Sequence, residues 1–250
     1  QPNMSTYHIS DSKLDPETTA KHYDSWAGQY DEETVTRLHY TGHNVCADAV
    51  AKSLGGSDRG KARILDVAAG TGLWLVAGWL VGWLAGCCLS GWLAGWLAGR
   101  LAGWLAGWLS GWLLVQLGFT DIDGVDGSQD MLNLAERKQI YKRLICDLVG
   151  PNRLDIENDT YDAIACCGSF APSHLKEDCL PELIRVVKPG GYIVITFREE
   201  YLHTVEDYKD KLEPTMARLQ DEGLWERVSR ETFPKFYEDK DGITFVYKVL

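Results

Sequence analysis

The sequence predicts an α/β fold: a doubly wound, mostly parallel sheet of seven strands with a closing antiparallel C-terminal hairpin. Three observations carry that expectation. Short β-branched runs take turns with segments of helical period from "ARILDVAAGTG" to "YIVITF". The connections between them are short and bear glycine. The final stretch, "WERVSRETFPKFYEDKDGITFVYKVL", reads as two strands joined at "DKDG".

Taken in order, residues 14–56 space their apolar positions helically, as in "PETTAKHYDSWAGQYDEE" and "NVCADAVAKSL", until "SLGGSDRGKA" breaks the period with glycines. "ARILDV" is a short apolar run of the kind that forms a buried parallel strand. "DIDGVD" is the next strand, and it leads into "SQDMLNLAERKQIY", a helix for which Ser128 is the N-cap and Met131, Leu132 and Ala135 form one face. "KRLIC" and "YDAIACC" follow as strands, "KEDCLPELIRVV" as a helix, "KPGG" as a turn and "YIVITF" as a strand. "VEDYKDKLEPTMARLQDEG" reads as a helix that Pro214 breaks or kinks.

The chain of 250 residues is long enough for one sizeable α/β domain, taken as 1–250. A formal charge of -11 argues against a nucleic-acid surface, which needs a lysine and arginine footprint. A small molecule or a protein is the expected partner, and the chain is expected to be a monomer. Seven cysteines, an odd count without C-x-x-C spacing, point to reduced thiols in the cytoplasm and to no metal site. The N-terminal stretch has neither a basic n-region nor an apolar h-region, so no signal peptide is expected.

The chemistry concentrates at strand ends. In "ILDVAAGTG", Asp66 ends a strand, and Gly70 and Gly72 let the backbone turn closely around a ligand before the next helix. A dinucleotide fingerprint would need a third glycine where Leu75 stands, so that match fails. Asp126 ends the next strand, where a carboxylate takes both hydroxyls of a ribose.

"ILDVAAGTG" resembles motif I of the class I S-adenosylmethionine-dependent methyltransferases, a Rossmann-like fold family, with Ala68 where that family carries its first glycine. "IDGVDGSQDML" is similar to motif II, which implies a cofactor contact for Asp126, Gly127 and Met131. Asp147 and Leu148 in "LICDLVG" fit the family's position near the adenine amino group. "YDAIACCGSFAPSHL" resembles motif IV, whose loop lines the reaction centre; this brings in Cys167 and makes His174 a candidate general base. "LPELIRVVKPGGYIVITFRE" is similar to the family's turn and fifth strand. "YDSWAGQYD" resembles the tyrosine-rich lid over the cofactor, which assigns residues 14–56 as a helical lid with Tyr23, Trp26 and Tyr30 facing the ligand. Each residue has a plainer reading alone: Asp66 a turn former, Asp126 a charge at a helix start, the aromatics a core face, His174 a hydrogen-bonded loop histidine. The order of the segments favours the family, and the cofactor it implies is S-adenosylmethionine.

Residues 74–113 do not belong to this pattern. From Gly72 to Asp126 the chain is far longer than the roughly 20 residues such a unit needs. The surplus is a Leu-Ala-Gly-Trp repeat, a low-complexity apolar insertion. Four residues on a 3.6-residue helix rotate the tryptophan row by about 40° per repeat, so no fixed apolar face results. The tetranucleotide CTGG read in triplets encodes Leu-Ala-Gly-Trp, and Val81, Arg100 and Ser110 are single-base departures from it, as expected of a translated microsatellite. Three readings follow. One is a methyltransferase acting on a small-molecule or protein acceptor. Another is a module that binds the cofactor without catalysis. The third is a variant tethered to a membrane by the repeat.

Overall fold

The structure is a computed structural model that describes residues 14–32, 40–72 and 113–250. The repeat lies outside the described residues, apart from Leu113 at its end. Among the described residues no helix is long and apolar enough to cross a membrane.

The chain enters through two helices, α1 (Pro16–Glu32) and α2 (Gly42–Leu54). Strand β1 (Arg63–Val67) follows, then a short helix α3 (Leu113–Gln116), β2 (Asp121–Asp126), α4 (Gln129–Arg137), β3 (Arg143–Cys146) and β4 (Tyr161–Cys167). A 3-10 turn (Glu177–Cys179) opens α5 (Leu180–Val186), which feeds β5 (Val187–Arg198). The rest is α6 (Tyr201–Thr204), α7 (Leu212–Asp221), β6 (Trp225–Tyr237) and β7 (Lys240–Val249).

The seven strands make one sheet in the order β3-β2-β1-β4-β5-β7-β6. Strands β1 to β5 are parallel, and β7 pairs antiparallel with both β5 and β6. This is the doubly wound sheet with a closing hairpin that the sequence predicts. From β1 the chain steps to β2 and β3 on one side, then returns to β4 and β5 on the other. The carboxyl ends of β1 and β4 therefore flank a topological switch point, where sheets of this kind bind ligands.

Alternation along the strands fills both faces. Ile64, Ala163, Ala165 and Val194 join a cluster with Cys46, Ala47 and Val50 of α2. Leu65, Val67, Ile164 and Cys166 join the opposite cluster with Leu180 and Leu183 of α5. Period-two packing against helices on both sides explains why the strands read as near-continuous apolar runs.

Three local expectations need adjustment. Pro214 neither breaks nor kinks a helix: it lies in the first turn of α7, where its missing N–H has no helical acceptor to lose. "KPGG" is not a free turn but an irregular part of β5, since Val187 already pairs with Tyr161 and the register then jumps to Ala163 and Tyr192. Gly191 makes that jump, for a Cβ there would stand 2.8 Å from the Asp162 carbonyl oxygen. The β6–β7 turn falls at Glu238 and Asp239, so it overlaps the expected "DKDG" at Asp239 and begins one residue earlier.

The loop from β3 to β4 is fastened from below by a half-sunk ion pair. Glu182 accepts from the Leu154 N–H at 2.7 Å and from Arg185 Nη2 at 2.6 Å and Nε at 2.7 Å. Arg185 in turn donates to the Ile156 carbonyl at 2.8 Å. Burial opposes the charge on Glu182, yet Arg185 and the Leu154 N–H outweigh it and hold the carboxyl below its usual range. Glu182→Ala is expected to destabilise the protein by about 3 kcal/mol, because Arg185 and the Leu154 N–H lose their acceptor. Urea unfolding at neutral pH measures the loss; it should shrink as pH falls below the ordinary glutamate range, where the native pair itself is lost.

Candidate active site

The carboxyl end of β2 delivers Asp126 to the switch point. One carboxylate oxygen accepts from the Gly70 N–H at 2.8 Å, the other from the Ser128 N–H at 2.8 Å. Burial raises its pKa, and these two N–H groups work against that rise. The residue thus locks the glycine turn after β1 to the start of α4. Ser128 caps that helix as expected, its Oγ accepting from the Met131 N–H at 3.2 Å.

The turn after β1 divides into two halves. Ala68 and Gly70 line the cavity described below. Both have positive φ, 58° and 55°, so Ala68 adopts a backbone conformation that glycine takes without strain, at a cost of about 1 kcal/mol. A Cβ on Gly70 would meet nothing within 4 Å. Asp66 and Gly72 turn away from the cavity. Asp66 Oδ2 accepts from the Tyr141 hydroxyl at 2.6 Å, and a Cβ on Gly72 would stand 3.1 Å from the Tyr141 ring. Both belong to the turn's scaffold, with Tyr141 as its hub.

Helix α1 spans the site and is fastened at both ends. Asp24 Oδ1 accepts from Ser128 Oγ at 2.5 Å and from the Asp130 N–H at 3.2 Å. Asp31 accepts from Thr71 Oγ1 and pairs with the nearly buried Lys138 at 2.6 Å. Across the crevice, the Leu14 N–H donates to Ser173 Oγ at 2.9 Å. The face between these ties carries Tyr23, Trp26 and Tyr30, with the Trp26 and Tyr30 ring centroids 4.7 Å apart. Helix α2, the other half of the expected lid segment, packs instead on the sheet through Cys46, Ala47 and Val50.

Past β4, His174 meets Tyr23. Nδ1 lies 2.7 Å from the Pro172 carbonyl, which only accepts, so Nδ1 carries the proton. Burial lowers the histidine pKa and keeps the ring neutral. Nε2 is then an acceptor for the Tyr23 hydroxyl at 2.9 Å. Cys167, at the end of β4, holds its thiol 2.9 Å from the Tyr40 hydroxyl, and burial pushes the thiol pKa well up, so it stays protonated.

These groups enclose one cavity of about 490 Å³. Tyr23, Trp26, Tyr30, Ala68, Gly70, Asp126, Gly127, Met131, Asp147, Leu148, Cys167 and His174 all line it; Asp66 and Gly72 do not. Gly127 admits Leu148, whose Cδ2 would stand 2.5 Å from a Cβ there. The sequence did not point to Tyr40, His43, Arg198 or Tyr237, which also line the cavity. No local motif marks them, because they come from distant segments.

The profile of the family described as methyltransferase domain matches residues 98–195. A solved S-adenosylmethionine-dependent methyltransferase from Aquifex aeolicus shares the fold, with a TM-score of 0.50 and 16% identity, over 95% of this chain and 100% of that one. The sheet order and glycine turn of this chain agree with that match, and the chain carries a methyltransferase domain of Rossmann-like fold. It is similar to Methyltransferase-like protein 27 of Homo sapiens, with 31% identity over 204 residues, or 82% of this chain. The match spans 66% of that relative's length. The cyclase SpnF has the same fold, with a TM-score of 0.59 and 14% identity over 94% of this chain and 97% of its own.

Asp66 has a testable signature. Burial, reinforced by the Asp126 charge and opposed by the Tyr141 hydroxyl, pushes its pKa up to about 8. A carboxyl that holds its proton more tightly in the fold contributes stability below its unfolded pKa and loses it as pH rises toward the folded value. Thermal unfolding between pH 5 and 8.5 should show wild type losing stability with pH, and Asp66→Asn losing less. A variant with the wild-type slope would mean that Asp66 is ionised in the fold.

Proposed function

We propose that this chain is an S-adenosylmethionine-dependent methyltransferase that delivers a methyl group in line to a small-molecule or protein acceptor. The observation that carries the reading is the Asp126 carboxylate, held by the Gly70 and Ser128 N–H groups at the switch point and lining the cavity. The residues present fit the cofactor. Gly70 offers backbone with open space where a Cβ would project, and Asp126 retains lone pairs for ribose hydroxyls. Asp147, Leu148 and Met131 flank the same end and would hold the adenine.

When bound, S-adenosylmethionine supplies an electrophilic methyl group on a sulfonium. The chain's own work is to orient the acceptor and exclude water. Trp26 and Tyr30 roof the site, and the ties at Asp24 and Asp31 keep the roof in place. Tyr23 and His174 provide a path for an acceptor proton: the Tyr23 oxygen takes it while passing its own to His174 Nε2. Because burial weakens His174 as a base, the pair suits an acceptor whose proton becomes acidic as the new bond forms.

The test is calorimetric titration followed by a methyl-transfer screen with labelled donor. Wild type should bind S-adenosylmethionine, and Asp126→Ala should weaken binding by about 1 to 3 kcal/mol through the lost charged acceptor. A folded variant with unchanged affinity would sink the assignment. His174→Asn should lower kcat by about 10² to 10⁴ and leave donor affinity intact. Donor binding without transfer to any acceptor would favour the inactive module, a use for which the cyclase of the same fold is a reminder that fold does not fix chemistry.

A further inference from the structure

The cavity continues from the Asp126 side, over the ends of β1 and β4, to the other half of the sheet. Its wall changes there. Arg198, the last residue of β5, is the one lysine or arginine among the described lining residues. Its guanidinium carbon stands 5.1 Å from the Tyr201 ring centroid and 5.9 Å from that of Tyr237. Nη1 donates to the Tyr201 hydroxyl at 3.3 Å, and Nη2 pairs with Glu200. The other Glu200 oxygen pairs with Lys240 at 3.1 Å, so two cations share one carboxylate and a positive charge is left over.

Two buried polar atoms at this end lack partners among the described residues. One is Arg198 Nε, a donor; the other is Nδ1 of His43, a residue only 3% exposed. Burial lowers the His43 pKa to about 4, so that ring is neutral. A buried N–H without an acceptor is costly. The surroundings are aromatic: Tyr40 and Phe236 stand edge to face at 4.9 Å, with His43 5.4 Å from Tyr40.

We propose that this end of the cavity is the acceptor subsite, and that it takes a small acceptor with an aromatic or apolar body and a carboxylate, held by Arg198. This rests on the chain being a methyltransferase. The guanidinium lies near two aromatic rings and is held by Tyr201 and Glu200, and a held planar fork suits a planar carboxylate. The aromatic wall accounts for the body, and the Arg198 charge, the one cation among the described lining residues, for the anion. The donor also carries a carboxylate, but Asp126 and Arg198 end strands three spacings apart, about 14 Å across the sheet. That separation puts the arginine on the acceptor's side.

Thermal unfolding and calorimetry on the full chain test this, with and without S-adenosylhomocysteine, the demethylated donor. The probes are phenylacetate and 4-hydroxybenzoate, each against its primary amide at millimolar concentration. The acids should raise Tm and bind about tenfold or more tighter than the amides, as expected of a charge-assisted hydrogen bond. Arg198→Gln should abolish that preference and Arg198→Lys should keep part of it, with donor affinity unchanged in both. Acids that shift nothing, amides that match them, or a preference that survives in Arg198→Gln would each overturn the proposal. So would a tenfold loss of donor affinity in Arg198→Gln, which would assign the arginine to the donor's own carboxylate. If wild type binds no donor, the methyltransferase reading fails instead, and the acid–amide comparison on the donor-free protein still decides the subsite.

Discussion

A half-buried carboxylate, Asp126, is the constraint from which the rest of the site is arranged. A charge out of water needs hydrogen-bond donors, and two backbone N–H groups supply them here. Satisfying it fixes the glycine turn after β1 relative to the start of α4. The Ser128 hydroxyl extends the same chain of bonds to Asp24, so the roof helix is registered to the sheet through one polar relay. The geometry of the cavity is thus set by electrostatic satisfaction at the switch point, and apolar packing secures the sheet beneath it.

Helix α1 separates two tasks by angular position. Asp24 and Asp31 are seven residues apart, two turns, and so lie on one stripe that fastens the helix to α4, Thr71 and Lys138. Tyr23, Trp26 and Tyr30 follow the i, i+3, i+7 spacing on the neighbouring stripe and face the cavity. The fastening residues are not the roofing residues. Changing the acid stripe would therefore alter how firmly the lid sits without altering what the ligand touches, whereas changing the aromatic stripe would do the reverse.

How much was legible in the sequence follows from the range of the interactions involved. Strands and helices could be read because their periods and glycine turns are local, and Ser128 because a cap acts three residues away. Asp126 and Gly70 line the cavity, in agreement with what the motif resemblance implied for them. The same motif reading gave Asp66 and Gly72 a ligand role, but local sequence does not reveal Tyr141, which turns both toward the scaffold. Pro214 misled because proline forbids a helix interior but suits a first turn, and the boundary that distinguishes the two is set by tertiary packing. The β5 end of the cavity was illegible for a related reason. Tyr40 meets Cys167 across 127 residues, and Thr41 ties to Phe236 on β6. Only the folded sheet brings these segments together.

The same division between local anchoring and distant closure explains how the domain tolerates so long a connection after Gly72. On one side, Asp31 holds Thr71 and Tyr141 abuts Gly72. On the other, Leu114 and Phe119 are buried with Ile64 and Ile122, and the Phe119 N–H donates to the Leu114 carbonyl at 2.9 Å. Each end is fixed by contacts that do not depend on what joins them. Closure entropy grows only with the logarithm of length, so a connection five times longer than a two-turn helix adds about 1.4 kcal/mol if it does nothing but join its ends. That is within the stability of an ordinary domain.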